Sequence, residues 1–226
     1  MQRRSGRFSR RQLLLAASGA ATLAATAPRA RAAQPARKFD SQRFIDACLQ
    51  AMRTAGTDAQ PAIQELLARE LGDRDAVVDG LGAPTKGALR QLYRSETLTI
   101  LNIVWAPLMQ LLPHDHNMWA LIGIYTGRKD NIFWKRTGNG LEAHDARAIS
   151  AGAVVPLPAD VIHSVANPIE KLTGAIHIYG GDFFGAHRSE WDPETLVERD
   201  WNIREAVRNF ERSNARFFGA RPCGAV

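Results

Sequence analysis

Between Ala88 and Tyr179 the chain turns every few residues and never settles into helical spacing. Nine short strand-like segments follow one another: Ala88–Tyr93, Thr97–Trp105, Gln110–Pro113, Trp119–Thr126, Asn131–Arg136, Arg147–Ile149, Ala153–Pro156, Ile162–Ala166 and Gly174–Tyr179. Turn-forming clusters separate them, among them Gly127-Arg128-Lys129-Asp130, Thr137-Gly138-Asn139-Gly140 and Asn167-Pro168. Strands this short, with no helices between them, argue for a closed barrel or two stacked sheets rather than a parallel α/β sheet. The expected body is an all-β jelly-roll barrel over residues 88–192.

Helical spacing lies on either side of that block. Phe44, Ile45, Cys48, Leu49 and Met52 recur at three- and four-residue intervals, and after the Gly56-Thr57-Asp58 break Ile63, Leu66, Leu67 and Leu71 do the same. Gly72 ends the second helix, and Gly80 to Gly87 reads as a Gly/Pro loop. Residues 33–87 therefore form a helical segment packed on the barrel. From Pro193 to Phe218 the pattern is helical again, with Ile203, Val207, Phe210 and Phe217 on one stripe, so residues 193–226 make a C-terminal helix and tail.

The first 32 residues read as an address. Ser9-Arg10-Arg11-Gln12-Leu13-Leu14-Leu15 is a twin-arginine pattern, and Ala30-Arg31-Ala32 is a small-x-small cleavage signal ahead of Ala33. The expectation is export through the Tat translocase to the periplasm or beyond, with no membrane anchor after cleavage. This leader holds seven of the 29 basic residues and none of the 23 acidic ones, so the remainder is close to charge balance. The basic excess belongs to the leader, and the body carries no nucleic-acid footprint. Cys48 and Cys223 stand near opposite ends of the body, in neither a metal-ligand nor a redox spacing; an oxidising compartment permits them to pair.

The chemistry concentrates in three histidines. In Pro113-His114-Asp115-His116, alternation along a strand puts His114 and His116 on one face and Asp115 on the other. His163 arrives on a second strand-like segment. Two imidazoles from one strand and a third from another can bind a divalent metal and leave positions open for substrate. Around them stand Gly127, Gly152, Pro158, Asp160 and Asn167 at spacings that resemble the paired motifs of the cupin superfamily. In that superfamily the first motif often adds a glutamate; Leu121 stands in its place, which implies a three-histidine site.

Within that superfamily, Trp105, Pro113 to His116, Gly127, Phe133-Trp134, His163-x-Val165-x-Asn167 and Ile176-His177-Ile178-Tyr179 together resemble the cysteine dioxygenase family of thiol dioxygenases. The likeness spans residues 89–184. It implies Fe(II)-dependent addition of both atoms of O₂ to a small thiol, giving a sulfinate. It further implies that His114, His116 and His163 bind the iron, that Tyr179 is the active-site tyrosine, and that His177 orients it. Arg94 is the residue it offers for the substrate carboxylate. Two departures follow: Leu121 replaces the cysteine that some members cross-link to the tyrosine, and Ala175 replaces the serine of the Ser-x-His-x-Tyr relay. The same histidines also fit another cupin metalloenzyme, an oxygenase or isomerase of a small organic acid, and a periplasmic metal-binding cupin without turnover. The histidines alone leave iron, manganese and nickel open. His144 and His187 have no partner spacing and receive no role. Asp130-Asn131 reads as a turn, and Trp105, Trp119, Phe133 and Trp134 as barrel filling, one of them a possible pocket wall.

Overall fold

A computed structural model describes residues 38–138 and 140–219; the expected leader over residues 1–32 and Cys223 lie outside them. Asp40 opens the first helix, its carboxylate accepting the Arg43 N–H at 3.0 Å. Helix α1 spans Ser41–Ala55, a 3₁₀ turn Gly56–Asp58 follows, and α2 spans Ala59–Leu71. The expected break and the Gly72 stop both hold. A further helix, α3 at Arg74–Leu81, lies where none was expected and takes in Gly80. Asp73 caps it by accepting from Ala76 N–H, and Val77 and Leu81, four residues apart, are its buried side. Within this helix only glycine fits at position 80, because a Cβ would collide with the backbone of Phe39.

The barrel follows as β1 Ala88–Arg94, β2 Thr99–Trp105, β3 Gln110–Asp115, β4 Ala120–Thr126, β5 Arg128–Thr137, β6 Gly140–Ser150, β7 Val154–Leu157, β8 Ile162–Ala166 and β9 Thr173–Tyr179. Two short strands, β10 Ser189–Trp191 and β11 Glu198–Asp200, precede the last helix, α4 at Ile203–Phe218. One sheet has the order β1-β2-β9-β4-β7, the other β11-β10-β3-β8-β5-β6. Every pairing is antiparallel. This is the expected all-β double-stranded β-helix with helices on its flanks.

Alternation assigns the faces of the first sheet. Leu98, Ile100, Leu121, Tyr125, Ile176 and Ile178 pack with α1, α2 and α3, whereas Leu101, Ile103, Ile122, Ala175 and Tyr179 point between the sheets. With helices on one side and the second sheet on the other, β2 and β9 are buried along their whole length. Gln60 on α2 ties the layers together, donating to Ala120 O and Leu157 O at 3.1 and 3.2 Å. Cys48 is a free thiol in the helix-side core, and burial pushes it up to about 12.

Three expectations need correction. Only Gly127, at φ 80°, makes the turn before β5; Lys129, Asp130 and Asn131 belong to the strand. The expected Arg147–Ile149 segment is the end of the eleven-residue β6. The C-terminal helix begins at Ile203, capped by Asn202, rather than at Pro193. Its buried side is Ala206 and Phe210, and Val207 is exposed. No helix among the described residues is long and apolar enough to cross a membrane.

Candidate metal centre

His114 and His163 face each other because β3 and β8 pair with those two residues in direct register. Residues directly opposite in an antiparallel pair hold their Cβ atoms about 5 Å apart on the same face. His116 follows the last residue of β3, and the chain then turns through Asn117 at φ 51°, a left-handed conformation that asparagine tolerates. The Asn117 side chain holds that turn by donating to His187 O at 2.9 Å. Asp115 points away from the histidines, as alternation requires. Its carboxylate accepts from Ser189 N–H at 2.8 Å, which pins the start of β10.

The three ligand nitrogens lie within 4.8 Å of one another. His116 Nε2 stands 3.3 Å from His114 Nε2 and 3.3 Å from His163 Nε2. Nitrogens held about 2.1 Å from one ion are about 3.0–3.4 Å apart, so this spacing suits a shared metal. The outer nitrogens agree. His114 Nδ1 donates to Leu112 O at 2.9 Å, and His163 Nδ1 donates to Asn131 Oδ1 at 3.1 Å. Both rings therefore present a bare Nε2 lone pair, and His116 Nε2–H can satisfy only one of them. A divalent cation satisfies all three. Burial is the largest cause that holds His114 down to about 3 and His116 and His163 well below the usual imidazole range, so all three are neutral at pH 7 and ready as ligands.

No carboxylate joins the cluster among the described residues. Leu121 does not face it: that side chain packs against the helices, and the inward neighbours on β4 are Ala120 and Ile122. The three-histidine expectation thus stands on different residues from the one the motif pointed to.

Tyr179 and His177 come to the same cavity from β9. The Tyr179 ring sits edge-on to His116 at 5.1 Å, and its hydroxyl is 3.0 Å from His177 Nδ1. Burial raises the phenol and lowers the imidazole, so both are neutral. His177 Nε2 has no partner, and Ala175 stands where the resemblance would put a serine.

Arg94 is not brought to this cavity. Its guanidinium forms a bidentate pair with Asp182, both contacts 2.8 Å, and its side chain is 42 % exposed. The arginine that does line the cavity is Arg188, in the loop after β9. It is 2 % exposed and lies between Phe183 and Trp201, with 3.9 and 3.5 Å to the ring centroids. None of its three guanidinium nitrogens has a hydrogen-bond partner. Desolvating a cation costs several kcal/mol; two aromatic faces, each worth about 2 kcal/mol or more when desolvated, offset part of it and satisfy no N–H. Its five N–H donors are thus left for a ligand. Burial draws Arg188 down to about 10, which leaves it charged at pH 7. The loop that carries it is held by Thr99, which accepts from Phe183 N–H and donates to Gly181 O, and by the Arg94–Asp182 pair. Arg94 thus supports the loop rather than lining the cavity.

Two further residues escaped the sequence reading. Asn131, expected in a turn, orients His163 from the neighbouring strand. Lys129, two residues earlier on the same inward face, lines the cavity. Trp105 and Phe133 wall it or stack on it, Phe133 lying 6.2 Å from the His163 ring at 20°. Trp119 packs instead on the helix side, and Trp134 donates to Ser164 Oγ. His144 is exposed, and so is His187. The cavity itself is about 40 Å³, room for roughly three water-sized positions.

Asn131→Leu keeps the branched heavy-atom outline and removes the acceptor. Metal affinity is expected to fall 10–100-fold with the fold intact, because an outer partner fixes both ring orientation and tautomer. Competition with a chromophoric chelator measures this; a change under about threefold would remove Asn131 from the site.

No family model matches the chain and no curated protein does. Solved structures do resemble it. An RmlC-like cupin with a double-stranded β-helix fold from Methanocaldococcus jannaschii is 16% identical over 46% of this chain and 87% of its own, at a TM-score of 0.39. A cupin 2 conserved barrel domain protein from Salinispora arenicola is 21% identical over 54% and 84%, at 0.34. A DMSP lyase from Ruegeria pomeroyi is 17% identical over 48% and 53%, at 0.39. These likenesses concern the barrel and carry no assignment of residues or chemistry.

Proposed function

We propose that the chain is a non-haem Fe(II) thiol dioxygenase, converting a small thiol carboxylate of the cysteine or 3-mercaptopropionate type to its sulfinate with O₂. The observation that carries this reading is the meeting of three groups in one small cavity: three neutral imidazoles, a neutral phenol and an unpartnered buried guanidinium. His114, His116 and His163 would hold the ion. Bound iron supplies the redox chemistry and favours the thiolate form of the substrate.

The protein's own residues do the rest. Arg188 receives the substrate carboxylate, since its forked donors match two carboxylate oxygens and no protein group uses them. It takes the role that the family resemblance offered to Arg94. With His177 in its Nδ1–H tautomer the ring donates to the Tyr179 oxygen 3.0 Å away, and the phenol hydrogen is then free to point at oxygen atoms in the cavity. Phe183, Trp201 and Phe210 line the cavity and exclude water from it. The small volume favours a small substrate.

Oxygen uptake by iron-loaded protein tests the proposal, with cysteine, 3-mercaptopropionate and cysteamine as substrates. Uptake with a thiol carboxylate and a sulfinate product is expected; no uptake across a wider thiol panel would retire the reading. Tyr179→Phe should bind iron as before and lower kcat by about 10²-fold, the usual cost of one donor to developing charge. Loss of iron instead would show that the hydroxyl has a structural role.

A further inference from the structure

Behind the histidines, the cavity contains a second set of polar groups that neither the metal nor Arg188 accounts for. Lys129 is 1 % exposed, and its Nζ has no hydrogen-bond partner. It rests over the Trp105 ring at 4.9 Å. The Trp105 indole N–H is likewise buried and unpartnered. So is the Asn131 side-chain N–H₂, the next inward group along β5, whose oxygen is already taken by His163. All three are donors. No carboxylate lies close enough to shift Lys129, whose value is drawn down to about 7 by burial alone.

Register places this set at the opposite end of the cavity from Arg188. Phe133 pairs with His163, and Lys129 is four residues further along β5, beyond Asn131. Trp105 likewise lies four residues beyond Leu101, the β2 residue paired with His177. Arg188 belongs to the other end, beside Phe183 and Trp201. The walls near Lys129 are apolar: Ile103, Val165 and Phe210. In its ammonium form Lys129 shares the cavity with two further unpartnered donors and with the neutral, unpartnered His177 Nε2, and it lacks an anion. The aromatic face beneath it returns only part of the desolvation cost.

We propose that this inner end is an anion subsite, in which Lys129 Nζ and the Trp105 indole N–H hold one small anionic group behind the three-histidine centre. The group is a halide or a carboxylate, either free or as the second acidic end of an organic ligand whose first end lies on Arg188. The subsite is independent of the thiol chemistry, because its donors need neither iron nor O₂.

Thermal unfolding of metal-free protein tests it without turnover. Formate, chloride, malonate and succinate are titrated at constant ionic strength against gluconate, which is too large to enter. A saturable rise in Tm of about 4 °C or more is expected with at least one of them. In Lys129→Met that rise should vanish, while the starting Tm holds, since no partner is orphaned by the change. Trp105→Phe, which removes only the indole N–H, should weaken the anion by about tenfold; it also serves if Lys129→Met folds poorly. A response to formate or chloride that survives Arg188→Met identifies a free anion. A response confined to the diacids and lost in either Lys129→Met or Arg188→Met identifies one ligand spanning both cations. No saturable response in the parent, or an unchanged response in both Lys129→Met and Trp105→Phe, would overturn the subsite.

Discussion

His163→Ala protein is expected to hold no metal under conditions where the parent holds one equivalent. His163 is held by its backbone, its outer nitrogen and a stacked ring. Its backbone is locked in register opposite His114, its Nδ1 is held by Asn131, and Phe133 stacks on its ring. Little remains to be ordered when an ion arrives, so removing it forfeits a preorganised donor. Losing an outer partner of such a ligand costs 10–100-fold in affinity, and losing the ligand should exceed about 100-fold. Elemental analysis reads this directly, and thermal unfolding reads it a second way. At 100 times its dissociation constant a ligand adds about 2.7 kcal/mol to stability, which is about 5–10 °C for a domain of this size. The parent should gain that rise with Fe(II), and His163→Ala should not. Retention of the full rise by His163→Ala would mean that the imidazoles converge without sharing an ion.

The barrel was legible because its signal is local. Alternating apolar residues and turn clusters recur throughout residues 88–179, and each expected strand there overlaps a real one. The metal ligands were legible for the same reason: His-x-His on a strand states its own geometry. Gly127 and Asp130 are strong turn signals that mask Lys129 and Asn131, although one glycine suffices for the turn. The period of two was present all along: Lys129, Asn131 and Phe133 share the buried face. Counting along the motif places Leu121 at the glutamate position, whereas the inward face of β4 carries Ala120 and Ile122. Arg188 offered no local signal. It sits in a loop, and only the tertiary placement of Phe183 and Trp201 makes it a buried cation. Arg94 drew attention by following a tyrosine on the first strand, but Asp182, 88 residues later, occupies its guanidinium.

Arg188→Met should separate the two arginines. Methionine fills the slot between Phe183 and Trp201 without a charge. Because Arg188 has no hydrogen-bond partner to orphan, the variant is expected to unfold at a Tm no lower than the parent. Metal content should also be unchanged, since Arg188 touches no ligand nitrogen through a hydrogen bond. Substrate recognition is where the loss should fall. A hydrogen bond to a charged partner is worth about 1.5–3 kcal/mol, and a bidentate carboxylate pair uses two. For a thiol carboxylate, kcat/KM should therefore drop by about 10²-fold or more, chiefly through KM. Cysteamine lacks the carboxylate, so its kcat/KM should change by less than about threefold, and the preference between the two substrates should shrink accordingly. Arg94→Met breaks an exposed pair with Asp182 and a contact over the Phe184 ring, while Thr99 still holds the loop, so KM for the thiol carboxylate should stay within about threefold. The opposite pattern, with Arg94→Met raising KM and Arg188→Met leaving it alone, would return the carboxylate to the first strand. Arg188 would then be a cation held in place by its two aromatic neighbours alone.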